Sequence, residues 1–347
     1  MVKTPPPPGA AAPEATALRM RELTIEAQMT FHAIWVAAEI GLADSLAKGP
    51  RDAKDLARHH RVDGLSLYRL LRALTVPGLL VEDANHRFAL TPLGATLRSD
   101  APGSMRGYVR FVGSRWRMAA WQELGFSVRT GKPAVQEVFG APLFEYLGSH
   151  PEDGAIFNAA MTSLTAMTEE AIVSACDLSG VRTVVDVGGG HGRLLSAILK
   201  RNPTLRGMLV DLPQVAEGAK AFLAERGLSD RVEVRSGDFF ESVPAGGDAY
   251  MMKLVIHDWD DERCIRLLRN VRRAMPPEGR LFVLDGVVPP PGVPAFDKLL
   301  DLEMLVLPGG LERTAEEFRG LFERAGFRLE RIVETESNMK IIEGRPA

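Results

Sequence analysis

Between residues 183 and 342, short runs of β-branched and aliphatic residues alternate with stretches whose apolar residues recur every three to four positions. The short runs predict strands at 183–187, 207–210, 232–235, 249–255 and 281–284. The longer stretches predict helices at 193–201, 214–226, 261–275 and 314–325. Two final runs predict a closing hairpin at 327–333 and 339–342. Because strands that alternate with helices form a parallel, doubly wound sheet, we predict an α/β fold for this part of the chain.

Residues 18–110 have a helical pattern with few strand signals. Segment 20–46 is apolar on more than one side of a helical wheel, which predicts burial against another subunit or another domain. Two shorter helices at 52–60 and 65–74 precede a strand–turn–strand pattern, an order typical of winged-helix modules, which often bind DNA. Residues 51–99 carry eight Arg or Lys against five Asp or Glu, too small a basic excess to favour a nucleic-acid reader.

With 347 residues, the chain is long enough for two domains. Its composition, 46% hydrophobic and 25% charged, is that of an ordinary globular protein. The net charge of −3 favours neither nucleic acid nor an anionic membrane as a partner, and two cysteines cannot form a disulfide framework. Residues 1–17 are rich in proline and alanine, lack the apolar core of a signal peptide and are expected to form a disordered tail. The most apolar segment, 29–42, is too short to span a bilayer, so we expect a soluble, cytoplasmic protein.

The first strand at 183–187 runs into a glycine-rich segment, 188–192, with the sequence GGGHG. Glycines let a backbone approach a ligand closely because no Cβ stands in the way. The dinucleotide fingerprint G-x-G-x-x-G fails at Arg193, and no Lys-Ser/Thr pair follows to make a triphosphate loop. An acidic, glycine-rich loop without phosphate-binding features suits a cationic nucleoside, of which S-adenosylmethionine is the common one.

Three acidic residues fall where predicted strands end. Asp186 closes the first strand, Asp211 closes the second, and Asp238 closes the third. In nucleoside-binding sheets a carboxylate at the position of Asp211 accepts hydrogen bonds from the ribose hydroxyls. Asp238 could accept from the adenine amino group. A single Asp after a strand is usually a helix cap or turn former, but three in series beside a glycine loop favour a ligand site.

The fourth predicted strand ends in an unusual cluster, 257–262, with the sequence HDWDDE. His257 is expected to emerge beside the methyl donor, although a histidine at a strand end is often only a packed side chain. Asp260 fits a helix N-cap, and the two acids after it fit the first helical turn. Trp259 is interpreted as either a stacking partner for adenine or a packing residue.

These segments together resemble the S-adenosylmethionine-dependent O-methyltransferases typified by plant caffeate and flavonoid enzymes, whose bacterial relatives act on phenolic polyketides. The resemblance covers residues 18–345 and is carried by Lys253 and by segments 186–192 (DVGGGHG), 210–213 (VDLP), 237–240 (GDFF), 257–259 (HDW) and 308–314 (PGGLERT).

The resemblance implies a class I methyltransferase fold, Rossmann-like with a seven-stranded, doubly wound sheet, after an all-helical, winged-helix-like dimerisation domain. It implies a dimerisation domain at 18–105, a helical connector lining the substrate pocket at 106–180 and an S-adenosylmethionine-binding domain at 181–347. A homodimer is expected.

The resemblance also implies residue roles. His257 is the expected proton acceptor, with acids at Asp285 and Glu312 beside it. The expected cofactor contacts come from Gly188, Asp211, Asp238, Phe239, Lys253 and Thr165. The plant pattern has Glu where this chain has Asp285, so the reach of this shorter side chain to the imidazole is an open question.

Methyl transfer from a sulfonium is an in-line displacement, so the protein must supply alignment and a better nucleophile. A phenol with a pKa of about 10 and a histidine with a pKa of about 6.5 differ by roughly 3.5 units, or about 5 kcal/mol. Carboxylates beside the imidazolium raise its pKa and narrow this difference, whereas an aliphatic alcohol near the roughly 15.7 of water stays out of reach. We therefore predict a small phenolic acceptor, with Met161 as a candidate lining residue and no metal requirement.

Two other functions are compatible with the same residues. One is a C- or N-methyltransferase in which His257 only orients the acceptor. The other is a non-catalytic winged-helix regulator that senses S-adenosylmethionine, although the presence of His257 together with Glu312 favours an enzyme.

Overall fold

The computed structural model describes residues 13–347, which form two compact units divided between Ser114 and Arg115. Residues 1–12 of the predicted tail lie outside the described residues, and the first helix begins at Pro13. We describe each unit by itself.

The first unit consists of short helices and three short strands. In chain order these are α1 (Pro13–Arg21), a π-helical turn (Glu22–Glu26), α2 (Ala27–Glu39), α3 (Leu42–Ser45), β1 (Arg51–Asp52), α4 (Ala53–His60), α5 (Gly64–Thr75), β2 (Leu80–Glu82), β3 (Arg87–Leu90), α6 (Pro92–Ala95) and α7 (Arg106–Val112). Helices α4 and α5 are each capped by an aspartate, since Asp52 accepts from the amide of Asp55 and Asp63 accepts from the amide of Ser66.

The strands of the first unit form an antiparallel sheet in the order β1-β3-β2. The hairpin β2–β3 follows α5, as the predicted helix–helix–hairpin order requires. The expected all-helical character is therefore wrong in detail, because this sheet adds to the helices. Helix α7, which the sequence assigned to the connector, lies in the first unit, where Arg106 donates to the carbonyl of Ala38 and to Asp44.

The apolar segment at 20–46 is interrupted at Gly41, whose φ of 69° ends the long helical stretch just after α2. The N-terminal half of this stretch carries large apolar side chains that the chain itself leaves more than 40% exposed: Leu18, Met20, Leu23, Ile25 and Met29. The apolar excess seen in the sequence is therefore an exposed surface of a single chain.

The second unit begins with a helical segment and continues into the predicted α/β region. The helices of its first part are α8 (Arg115–Gln122), α9 (Leu124–Thr130), α10 (Ala134–Phe139), α11 (Leu143–Ser149) and α12 (Pro151–Ala175). The α/β region contains β4 (Thr183–Val187), α13 (Arg193–Arg201), β5 (Arg206–Asp211), α14 (Pro213–Ala224), β6 (Val232–Ser236), β7 (Ala249–Lys253), α15 (Asp261–Ala274), β8 (Arg280–Asp285), α16 (Asp297–Val306), α17 (Ala315–Ala325), β9 (Phe327–Glu334) and β10 (Lys340–Pro346).

The seven strands form one sheet in the order β6-β5-β4-β7-β8-β10-β9. Strands β4 to β8 pair in parallel, and β10 pairs antiparallel with both β8 and β9. Alternate residues of β4 enter different cores, with Val185 on one face and Val184 on the other, so helices cover both faces. The predicted seven-stranded, doubly wound fold is confirmed, and the strand order reverses beside β4, where such sheets bind ligands.

The fourth parallel strand is shorter than predicted. Strand β7 ends at Lys253 rather than at residue 255, because Leu254 adopts a φ of 54° and a 3-10 turn follows at Ile256–Asp258. The other predicted strands agree with the structure to within a few residues, with β10 extending furthest beyond its predicted end.

Within residues 13–347, no helix combines the length and the apolar content needed to cross a membrane.

Candidate active site

The glycine loop after β4 is held open by left-handed backbone. Gly188, Gly190 and Gly192 have φ values of 69°, 57° and 79°. A Cβ on Gly188 would lie 2.9 Å from a methyl group of Val255, whereas nothing lies within 4 Å of the Cβ position of Gly190. The loop therefore packs tightly on one side and leaves room for a ligand on the other.

The carboxylate of Asp211 at the end of β5 fixes this loop. Its Oδ2 accepts from the amide of Gly190 at 2.8 Å, and its Oδ1 accepts from the amide of Leu212 at 2.7 Å. Burial raises the pKa of Asp211, and these two amides oppose the rise. Both oxygens retain lone pairs for a further donor, such as a ribose hydroxyl.

Asp186 lies beneath the loop rather than at its surface. It is 2% exposed, and a Cβ on Gly189 would lie 2.6 Å from its Oδ2. Burial, with the charge of Asp211 adding to it, raises the pKa of Asp186 to about 7. We therefore interpret Asp186 as a support for the loop.

The segment after β6 lies beside the glycine loop. The ring of Phe239 is 3.6 Å from the Cβ position of Gly188 and 6.3 Å from the ring of Trp259, centroid to centroid. Asp238 accepts from the amide of Phe240 at 2.7 Å, so it forms the turn that places Phe239. Phe239 thus provides an apolar wall next to the loop.

Lys253 at the end of β7 lies between the loop and the residues around His257. Burial lowers the pKa of Lys253 to about 8, although the charges of Asp285 and Asp186 oppose this. Its position links two acidic groups on neighbouring strands.

Helix α12 contributes the remaining predicted positions. The Thr162 hydroxyl on this helix lies 3.5 Å from Nδ1 of His191 in the glycine loop, and Arg193 pairs with Glu169 at 2.7 Å. Thr165 donates to the carbonyl of Met161 within the helix. These contacts bring α12 beside the loop, and the assigned roles of Met161 and Thr165 remain predictions.

His257 lies in the 3-10 turn after β7 and is 6% exposed. Its Nδ1 is 2.6 Å from Oε1 of Glu312, a short charge-assisted hydrogen bond. Oδ1 of Asp285 is 3.5 Å from the same nitrogen and makes no hydrogen bond to it. The direct partner is therefore Glu312, and the shorter Asp285 acts through its charge.

The other ring nitrogen, Nε2, faces a residue that the sequence reasoning did not single out. Oδ1 of Asp258 lies 3.7 Å from it. Burial raises the pKa of Asp258 to about 6, although the charge of His257 lowers it. The available signal was its position directly after His257 in the HDW segment.

Acidic neighbours dominate the protonation of His257. Burial lowers its pKa, but the charge of Asp285, the hydrogen bond that Glu312 accepts from Nδ1 and the charge of Asp258 outweigh burial and raise the pKa to about 10. Burial has the opposite effect on Asp285: it raises the pKa of this carboxyl to about 7, although the charge of His257 opposes the rise. Neither oxygen of Asp285 has a hydrogen-bond partner among the described residues, nor does Oε2 of Glu312.

His257, Asp285 and Glu312 are also the described residues that could hold a metal ion, since one potential ligand atom from each lies within 4.8 Å of the others. The hydrogen bond between His257 and Glu312 already uses Nδ1. The absence of a metal requirement remains a prediction.

Two acidic positions around this cluster had weak or no sequence signals. Asp301 on α16 accepts from the amide of Glu312 at 2.9 Å, and an oxygen of Asp297 lies near Gly286 and Glu312.

Trp259 packs against Phe240, with ring centroids 4.8 Å apart, which supports the packing interpretation of Trp259.

The seven-stranded sheet carries a glycine loop and an acidic strand end at its reversal point. Its match to solved methyltransferases identifies the fold as that of a class I methyltransferase. Family models agree: an O-methyltransferase domain matches residues 121–328, and an O-methyltransferase dimerisation domain matches residues 24–100. The chain belongs to the O-methyltransferase family.

Individual relatives are similar over nearly the whole chain. Phenazine O-methyltransferase PhzM of Lysobacter antibioticus is 44% identical over 313 residues, covering 90% of this chain and 92% of that protein. The crystal structure of LaPhzM covers 97% of this chain and 100% of its own, with 42% identity and a TM-score of 0.92.

A third relative was solved with ligands. The O-methyltransferase NcsB1 from neocarzinostatin biosynthesis, in complex with S-adenosylmethionine and 2-hydroxy-5-methyl naphthoic acid, is 34% identical with a TM-score of 0.78. The alignment covers 92% of this chain and 96% of that one. The predicted class, an S-adenosylmethionine-dependent O-methyltransferase, is confirmed.

Proposed function

We propose that the protein transfers a methyl group from S-adenosylmethionine to a phenolic hydroxyl of a small aromatic metabolite, with His257 as the general base. The observation that carries this proposal is the 2.6 Å bond between Nδ1 of His257 and Glu312. It fixes the orientation of the ring and leaves Nε2 free to accept a proton.

The glycine loop and its neighbours fit the cofactor. Gly188 lets the loop pack closely against Val255, and Gly190 provides open backbone. Asp211 retains acceptor capacity for ribose hydroxyls, and Phe239 offers an apolar surface to a base. Asp238, Lys253 and Thr165 complete the proposed cofactor contacts. When bound, S-adenosylmethionine supplies a methyl group already activated by its sulfonium.

The protein must therefore ionise the acceptor. An ordinary histidine with a pKa of about 6.5 lies roughly 3.5 units below a phenol at about 10, a cost of about 5 kcal/mol. Because its acidic neighbours raise the pKa of His257 to about 10, proton transfer from a phenol to Nε2 becomes nearly balanced in free energy. Met161 is proposed to line the acceptor pocket.

This function is tested by incubating the purified protein with S-adenosylmethionine and a panel of phenolic polyketides and flavonoids. We expect one methyl added by mass spectrometry and a methoxy carbon shift in the product. Methyl on carbon or nitrogen would support the other methyltransferase chemistries instead. No transfer to any phenol, combined with DNA retention in a gel shift, would support the regulator.

We further propose that the chain is a homodimer assembled through the first unit, while the second unit performs the reaction. The support is the dimerisation-domain match and the five exposed apolar side chains of α1, the π-helical turn and α2. Multi-angle light scattering should give twice the chain mass. The double variant Leu23→Glu, Ile25→Glu should have the mass of a single chain. A single-chain mass for the unmodified protein would contradict the proposal.

A further inference from the structure

The largest fully buried side chain of the described residues is a charged one, Arg313, which is 1% exposed. Burying a guanidinium is costly unless its donors are satisfied. Its Nη1 donates to the carbonyls of Ile256 and Leu311 at 3.1 and 3.3 Å. Its Nη2 donates to the carbonyl of Trp259 and to Asp261, both at 2.9 Å, and Nε also reaches Asp261 at 3.2 Å.

These acceptors surround the candidate base. The carbonyls of Ile256 and Trp259 lie on either side of His257 and Asp258 in the chain. Arg313 directly follows Glu312, whose carboxylate reaches Nδ1 of His257. Two consecutive residues therefore hold the same turn. Glu312 binds the imidazole of His257, and Arg313 binds backbone carbonyls of the turn.

Arg313 also connects the third segment of the cluster. Its own carbonyl accepts from the amide of Val288 at 2.9 Å, in the stretch that follows β8 and Asp285. His257, Asp285 and Glu312 come from three segments far apart in sequence. Arg313 is joined to all three by its side chain, its backbone and its position in the chain.

Gly310 makes this approach possible. A Cβ at this position would lie 2.0 Å from the carbonyl oxygen of His257 and 2.5 Å from the amide nitrogen of Trp259. The loop therefore rests directly on the backbone of the turn, and a buried arginine then joins the two. These contacts keep the loop before α17 at a fixed distance from the turn that carries His257.

We propose that Arg313 is a positioning residue for the reaction: it holds the turn that carries His257 against Glu312, so that the imidazole keeps its orientation and its charge environment. This inference rests on the proposed role of His257. It assigns no contact between Arg313 and substrate or cofactor.

The charged groups that face His257 are known for each neighbouring element. They are Asp258 on its own turn, Asp285 at the end of β8, and Glu312 on the loop before α17. If the loop loosens, the contact with Glu312 lengthens first, and the pKa of His257 falls toward its ordinary value. A displacement of about 1 Å at such a contact costs about 100-fold in rate.

The test is Arg313→Lys, which keeps the charge but cannot supply five fixed donors. We expect kcat to fall about 10- to 100-fold, the KM for S-adenosylmethionine to change less than about twofold, and the rise of kcat with pH to move to lower pH. In protein with 15N-labelled histidine, the Nδ1 proton resonance that disappears in His257→Ala should move or broaden in Arg313→Lys.

The matched control is Arg231→Lys. Arg231 also donates to several carbonyls, those of Leu199, Asn202 and Leu205, at the opposite end of the strands from His257. It should lower the melting temperature without moving the pH profile or the resonance. Equal effects of both variants on the pH profile, or an unchanged profile and resonance in Arg313→Lys, would overturn the inference.

If Arg313→Lys does not fold, Asp261→Asn removes one charged acceptor and leaves the three carbonyl contacts in place. It should move the pH profile in the same direction by a smaller amount, and no movement would overturn the inference. Full activity of His257→Ala would instead remove the proposed function. An inactive His257→Ala beside a wild-type-like Arg313→Lys would remove only the inference about Arg313.

Discussion

The candidate site at the carboxyl ends of the strands has two halves, one around Asp211 and one around His257. The carboxylates of these halves differ in their hydrogen bonding. In the half around Asp211, which is proposed to bind the cofactor, both oxygens of Asp211 accept hydrogen bonds from backbone amides at 2.7 and 2.8 Å. In the His257 half, both oxygens of Asp285 and one of Glu312 have no hydrogen-bond partner among the described residues. Hydrogen-bonded carboxylates fix a binding surface, whereas Asp285 and Glu312 interact with the buried imidazole of His257 and raise its pKa.

This difference predicts that substitutions in the two halves affect different kinetic constants. The His257 half should control kcat and its pH dependence, and the Asp211 half should control the affinity for S-adenosylmethionine.

The largest effect is expected for His257→Ala, which removes the proton acceptor. Turnover should fall by roughly 10²–10⁴-fold, while the dissociation constant for S-adenosylmethionine stays near normal. Steady-state kinetics and calorimetry measure the two quantities. His86→Ala, at an exposed histidine of the β2–β3 hairpin, is the matched control and should change neither. A large loss of cofactor affinity in His257→Ala would show that the halves are not separate.

Glu312→Gln keeps the shape of the side chain but removes its charge and weakens the bond to Nδ1. We expect kcat at high pH to fall by about 100-fold, because the imidazole loses both its orientation and its basicity. Plateau rates across pH are the measurement. A plateau equal to that of the unmodified protein would mean that the 2.6 Å contact is not used in the reaction.

Asp211→Ala tests the other half. The loop loses the bond to the Gly190 amide and the proposed ribose acceptor, and hydrogen bonds to charged groups contribute about 1.5–3 kcal/mol. The KM for S-adenosylmethionine should therefore rise by about 10- to 100-fold, with the pH profile of kcat unchanged. Asp230→Ala, at a surface position after α14, serves as the control, and a shifted profile in Asp211→Ala would contradict the separation.

Sequence predicts the structure best where a single local segment determines it. The run at 183–187 and the glycines after it were sufficient to locate β4 and the loop, because β-branched residues and glycines act locally. The end of β7 was missed, since a non-glycine residue with positive φ, Leu254, has no local signal. Asp186 was expected at a strand end, but inside β4 its side chain points beneath the loop.

The parts of the site that could not be predicted depend on contacts between distant segments. Resemblance supplied Glu312, but nothing in the pattern distinguished it from Asp285 as the direct partner, because that depends on a difference between 2.6 and 3.5 Å. Asp301 and Arg313 act through backbone groups, which leave no trace in the order of residues.

The pH dependence of the unmodified protein follows from the sign of the shift at His257. A base must be unprotonated to act, and the pKa of His257 is raised to about 10, so kcat should increase with pH through the neutral range and level off near 10. Rates with a phenol of known acidity, measured from pH 6 to 10.5 with checks of stability at each pH, give the profile. A plateau beginning near 6.5 would show that the acidic neighbours do not raise the pKa.

The smallest change in plateau rate is expected for Asp285→Asn. This variant distinguishes the effect of a neighbouring charge on His257 from the orientation of its imidazole. Asp285 makes no hydrogen bond to Nδ1, so its removal leaves the Glu312 contact in place, yet its charge is the first of the influences that raise the pKa of His257. The profile should therefore move to lower pH while the plateau changes less than about tenfold. Glu312→Gln should lower the plateau as well, so the pair of profiles distinguishes the two acids. Equal plateau losses in both variants would mean that Asp285 also orients the imidazole, despite the 3.5 Å separation.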